Sequence, residues 1–156
     1  MPVLAVLKHD DFLYQLFYLL HILSMIVAFA PQFVWPFVTV RLRKEGRSVS
    51  SSVGTLLEGN STKIHGPALA LAGILGFGLI GFSDDVYEFS QAWISIAMLL
   101  WFLALGVVFG LMAPAEKRAA AGDADADRKL SMYGGMLHLL LFLLLVDMVW
   151  KPGGPF

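Results

Sequence analysis

No cysteine occurs among the 156 residues. That excludes disulfides, thiolate metal sites and thiol redox chemistry, and leaves imidazole, carboxylate and methionine as the available ligands. Charge is scarce too: Asp, Glu, Lys and Arg make up 15% of the chain and leave a formal net charge of −1, so no global field recruits nucleic acid. The P-loop, H-E-x-x-H, G-x-S-x-G and dinucleotide fingerprints are all missing. What stands in their place is hydrophobicity, at 58% of the residues, too much for an ordinary water-soluble domain of this length.

The apolar residues fall into four runs, Phe12–Val40, Pro67–Phe82, Ala92–Met112 and Leu130–Trp150. A helix rising ~1.5 Å per residue needs about 20 apolar residues to cross a ~30 Å hydrocarbon core. The first, third and fourth runs meet that length; the second reaches it with its small flanking residues. The pattern predicts an all-α protein, a single domain over residues 1–156, with transmembrane helices at about 12–40, 65–82, 92–112 and 130–150 in an up-down bundle. Ala28-Phe29-Ala30 resembles a signal-peptide cleavage site, but Pro31 follows it, and Lys8, Asp10 and Asp11 precede the run in place of a basic cluster. The first run therefore reads as an uncleaved anchor.

The basic residues predict the orientation. Arg41, Arg43, Lys44, Arg47 and Lys63 lie in the first connection and Lys117, Arg118, Arg128 and Lys129 in the third. The second holds only Asp84, Asp85 and Glu88, and Lys8 and Lys151 alone occupy the ends. By the positive-inside rule, connections one and three are cytoplasmic, while connection two and both termini are outside. Trp93 and Trp150 then fall at the outer boundary and Trp35 and Tyr133 at the inner one, where amphipathic rings anchor, and Trp101 lies deeper as a packing residue. The stretches 48–52 and 119–127 read as cytoplasmic connectors, and the sequon Asn60-Ser61-Thr62 is discarded because a cytoplasmic loop never meets the transferase.

Pro31 and Pro36 predict a kink or an end near the cytoplasmic side of the first helix. The second run is rich in small residues, among them Gly66, Gly73, Gly76, Gly78 and Gly81, and the third carries Gly106 and Gly110 in G-x-x-x-G spacing. Small residues let helix backbones approach closely in lipid. These glycines read as core packing of a tight bundle, with contact to a partner helix as the alternative.

Ionisable groups inside a membrane are costly and face the protein interior or a cavity. His21 lies ~14 Å into the first span and His138 ~12 Å into the fourth from the opposite side, counted at the helical rise, so both approach the midplane. At 100° per residue, Tyr14, Phe17, Met25, Ala28 and Gln32 share the side of His21, with Tyr18 and Ser24 at its margins. The same construction gathers Ser131, Gly134, Gly135 and Phe142 around His138. Both imidazoles are therefore expected to point inward. Four roles stay open: satisfying a hydroxyl, carbonyl or water inside the bundle; ligating a b-type haem through His21 and His138; a proton or quinol relay of His21 with Tyr14, Tyr18 and Gln32; or metal transport. His65 reads as a helix-start residue at the interface. Asp147 lies one turn before Lys151, a spacing that predicts an ion pair near the outer surface.

The layout resembles a broad group of small bacterial four-helix integral membrane proteins. The resemblance rests on Leu20-His21-Ile22-Leu23 in the first span, His65-Gly66-Pro67 opening the second, and Met148-Val149-Trp150-Lys151-Pro152-Gly153 closing the last. More distantly it is similar to the copper-resistance membrane domain and the membrane-bound protoporphyrinogen oxidase families. That resemblance implies haem-related chemistry at a first-span histidine, here His21. The oxidase family implies a lysine in the third span as well, and Ala92–Met112 contains none.

Together these readings predict a non-enzymatic accessory subunit of a larger complex in the bacterial inner membrane, best a respiratory or other energy-transducing one. Its partners would be the bilayer and other integral subunits, met through small-residue faces, with no nucleic acid. The alternative is a haem- or porphyrin-handling redox protein using His21 and His138; outside it, no cofactor is expected.

Overall fold

The computed structural model describes residues 12–47 and 59–154, without the side chains of Gln32, Trp35, Thr39 and Arg43. The regular secondary structure among them is all helical, with no strand, and four helices are long and apolar enough to cross a membrane. α1 covers Phe12–Lys44, α2 Ser61–Gly81, α3 Ala92–Ala120 and α4 Ala124–Trp150. Lys8 and the 48–52 connector lie outside the described residues.

The helices overrun the apolar runs for local reasons. α1 passes through Pro31 and Pro36 and ends only at Lys44, so the helix end expected at the prolines is not found; membrane helices tolerate proline where neighbouring groups re-satisfy the freed backbone. α2 begins at Ser61, where a carboxylate from α3 takes up its first donors. α4 begins at Ala124 because the Asp123 carboxylate accepts from Asp125 N at 3.0 Å and Ala126 N at 3.1 Å, an N-cap that satisfies two of the helix's unpaired donors.

Two wide i→i+5 turns interrupt the regular geometry, Ser61–His65 opening α2 and Gly106–Met112 inside α3. They pack against each other. Gly66 makes this possible: a Cβ there would overlap the Phe109 ring and lie 2.6 Å from the Ser61 carbonyl oxygen. His65 sits in this junction 1% exposed, its Nε2 without a hydrogen-bond partner. It is thus buried against protein, and it caps the regular α-helical part of α2 without being its first helical residue, because the helix begins a full turn earlier than its apolar run.

The tightest pairings are α1 with α2 and α3 with α4, and the seam between α1 and α4 is thin. The main core gathers Ala28, Leu69, Ala104, Val108, Leu137 and Leu141. It fills the half of the bundle containing the start of α2 and the end of α3. A smaller cluster of Tyr14 and Leu79, flanked by Phe17 and Phe82, lies toward the other end. Between the two clusters the helices leave a space.

Candidate functional site

That space is a cavity of about 470 Å³, walled by all four helices and by Tyr87 from the α2–α3 connection. Its volume falls in the range of small-molecule sites, roughly 300–1,000 Å³. On three helices the wall extends over about two turns: Ala72 to Ile80 on α2, Trp93 to Trp101 on α3 and Leu144 to Lys151 on α4. At the helical rise this is ~12 Å of depth.

The small residues of α2 build one wall. His21 reaches from α1 to place Nδ1 2.7 Å from the Ala72 carbonyl oxygen. Its ring lies on Gly76, where a Cβ would stand 3.4 Å from Cε1. Trp101 reaches from α3 and donates Nε1–H to the Leu69 carbonyl at 2.8 Å, with its ring where a Cβ of Gly73 would be. Two helices thus each hand a side-chain N–H to the backbone of α2, the kind of interhelical bond that holds membrane bundles together. A carbonyl only accepts, so Nδ1 of His21 carries the proton. In the neutral ring Nε2 then holds the lone pair, the arrangement in which backbone-anchored histidines present a ligand or acceptor.

Of the candidate ligand and relay residues His21, His138, Tyr14, Tyr18 and Gln32, the cavity wall holds His21, Tyr14 and Tyr18. Tyr14 is buried and Tyr18 is 54% exposed. His21 bonds backbone rather than either tyrosine, and the Gln32 side chain lies outside the described ones. On the side of α1 that carries His21, Tyr14, Ser24 and Ala28 are buried and Phe17 and Met25 half-buried; on the opposite side Leu19, Leu23 and Ile26 are exposed, while Leu16 is half-buried.

His138 is not on the cavity wall. It packs edge-on against Phe33 with ring centroids 5.4 Å apart. The face expected to turn inward with it is open, since Ser131, Gly135 and Phe142 are exposed. The buried stripe of α4 runs instead through Leu130, Leu137, Leu141 and Leu144. Of the two histidines, His21 lines this cavity and His138 does not. Among the described residues no group of three or more His, Asp or Glu is placed to hold a metal ion.

The expected Asp147–Lys151 ion pair is absent. Asp147 is buried with Oδ2 unpartnered, while Lys151 leaves the helical register in left-handed backbone, φ 41° and ψ 59°. Its Nζ goes across the bundle to Tyr87 Oη at 3.1 Å and lies 4.8 and 5.4 Å from the Tyr87 and Trp93 ring centres. Trp93, expected as an interfacial anchor, is accordingly buried beneath it and donates Nε1–H to Gln91 Oε1 at 2.9 Å. Trp101 is the packing residue expected.

The residue missed in the sequence is Glu116. It is 5% exposed near the end of α3 and accepts from Ser61 N at 3.1 and 3.2 Å and from Ser61 Oγ at 2.6 Å, with a further bond from the Gly59 backbone. It caps the start of α2 from another helix. The only signal was a lone acid just beyond an apolar run; nothing in the order of residues names a partner 55 positions away.

Compared with protein-family models, curated proteins and solved structures, the chain finds no match in any of the three.

Proposed function

We propose that this protein is a non-enzymatic accessory subunit of a larger membrane complex, with a respiratory or other energy-transducing complex of the bacterial inner membrane as the best assignment. One observation supports this reading: the glycines divide into two sets. A Cβ at Gly66, Gly73 or Gly78 would meet Phe109, Trp101 or Phe17 at less than van der Waals distance. At Gly106, Gly110, Gly134 and Gly135 it would meet nothing within 4 Å. The first set is used up inside the bundle. The second lies on open faces of α3 and α4, where glycine weakens a helix by ~0.5–1 kcal/mol relative to alanine without internal gain. Close approach of another subunit's helix supplies the gain.

Affinity purification in mild detergent should recover stoichiometric partners with the wild-type chain. Gly106→Leu with Gly110→Leu should lower that recovery at least ~tenfold, about 1.4 kcal/mol of association, while the melting temperature of the isolated chain holds or rises. A wild-type chain that purifies without partners under crosslinking and mass spectrometry, or a double variant that recovers them undiminished, overturns the proposal.

The proposed topology is an up-down bundle with connections one and three in the cytoplasm and connection two and both termini outside, as the nine basic residues of those two connections argue. The cysteine-free background makes this measurable. An impermeant thiol reagent added to intact cells should label Ser90→Cys and spare Ala121→Cys, both at exposed positions; the reverse pattern inverts the assignment.

A second reading, a haem- or porphyrin-handling protein, is favoured by the Nδ1–H anchor of His21. His21 alone would hold the iron, and the haem would supply electron transfer. Protein from haem-replete cells should then show an absorption band that His21→Ala removes and His138→Ala leaves. A colourless preparation ends this reading.

A further inference from the structure

The rim of the cavity carries a cation that forms no ion pair among the described residues. Lys151 lies on the wall, and no carboxylate comes within ion-pair distance of it among the described residues. Its partners, a phenol hydroxyl and two aromatic rings, orient the ammonium without neutralising it. The position is built into the chain end. Lys151 N donates to the Asp147 carbonyl at 2.8 Å and Gly154 N to the Lys151 carbonyl at 2.8 Å, which fixes the left-handed turn that aims the side chain across the bundle. Lysine at a helix C-terminus is ordinary. One held over two rings at the mouth of an apolar cavity is not.

Behind this cation the wall is aromatic and aliphatic, and its N–H donors are engaged: Trp93 Nε1 with Gln91, Trp101 Nε1 with Leu69 and His21 Nδ1 with Ala72. Lys151 gives one of its three donors to Tyr87, leaving hydrogen-bonding capacity and charge for an incoming group. The surroundings argue against a freely soluble anion. Asp84, Asp85 and Glu88, in the same connection as Tyr87, are exposed and add negative charge around the rim. An anion that binds here must draw its affinity from an apolar body buried in the cavity.

We propose that the cavity binds a single-chain anionic amphiphile drawn from the bilayer. Its carboxylate or phosphate head accepts from Lys151 Nζ, and its hydrocarbon body runs inward past Trp93 and Ala97 toward Trp101 and His21. The subunit reading is neither required nor weakened by this assignment.

Trp93 and Trp101 on the wall report occupancy. The full chain in neutral phosphatidylcholine nanodiscs is titrated with a brominated long-chain fatty acid, which quenches tryptophan on contact, and in parallel with the matching brominated alcohol. The acid should quench saturably. Lys151→Met, which keeps the aliphatic stem, should raise its half-saturation concentration at least tenfold and leave the alcohol unchanged, and Lys151→Arg should retain acid binding. Ala97→Phe, which fills the cavity, should abolish saturable quenching by both. A brominated lysophosphatidate that competes equally with the acid extends the head group to phosphate; one that fails to compete restricts it to carboxylate. The proposal is overturned if quenching is no greater than in the Trp93→Phe, Trp101→Phe double variant, if Lys151→Met binds the acid as wild type does, or if acetate or inorganic phosphate displaces the acid at millimolar concentration.

Discussion

Gly73→Ala is expected to destabilise the protein in detergent by about 1–2 kcal/mol. The added methyl takes the place of the Trp101 ring, which also packs against Phe77 at a centroid distance of 5.5 Å and Phe102 at 4.7 Å. Overpacking a close contact costs ~1–3 kcal/mol. If the ring swings toward the cavity instead, it loses its 2.8 Å bond to the Leu69 carbonyl, about 1 kcal/mol. The gain in helix propensity, ~0.5–1 kcal/mol, offsets only part. Gly106→Ala is the control: the same chemical change meets open space and should be neutral or stabilising. Thermal unfolding of both variants in one detergent decides the matter. Equal melting temperatures would mean that the Trp101 contact does not hold the bundle and that the division between buried and open glycines has no energetic content.

Glu116→Ala is expected to cost more, about 3–4 kcal/mol. The carboxylate makes three bonds to Ser61, at 2.6, 3.1 and 3.2 Å, with Ser61 fully buried. Hydrogen bonds to a charged acceptor are worth roughly 1.5–3 kcal/mol, and buried donors left unpaired carry a further penalty of ~1–3 kcal/mol. Glu116→Gln keeps one acceptor oxygen and should recover about half of the loss. A double-mutant cycle with Ser61→Ala isolates the pair: a coupling above ~1 kcal/mol identifies the inter-helix cap, whereas additive effects would show Glu116 acting elsewhere. Because the cap joins α3 to the start of α2, the loss should appear as early fraying of residues 59–65, measurable by hydrogen exchange.

Both effects come from contacts between helices, and this marks what the residue order could determine. Helix number and approximate extent were legible because the bilayer thickness sets the length of each apolar run, and α1 showed its buried face because Tyr14, Ser24 and His21 give it a polar side. The same rule pointed the wrong way on α4. There the glycine-lined side beside His138 is open and the leucine stripe is buried, since in lipid both sides of a helix can be apolar and hydrophobicity no longer separates inside from outside. The i,i+4 spacing of Asp147 and Lys151 was real in the sequence, yet the pair fails because Lys151 is the residue at which the helix stops, and its side chain follows the left-handed turn to Tyr87. Spacing rules hold only while the helix continues. Glu116 with Ser61, Trp101 with Leu69, and the cavity ringed by His21 and Lys151 belong to the tertiary structure alone, because each joins residues whose separation along the chain carries no period from which a partner can be read.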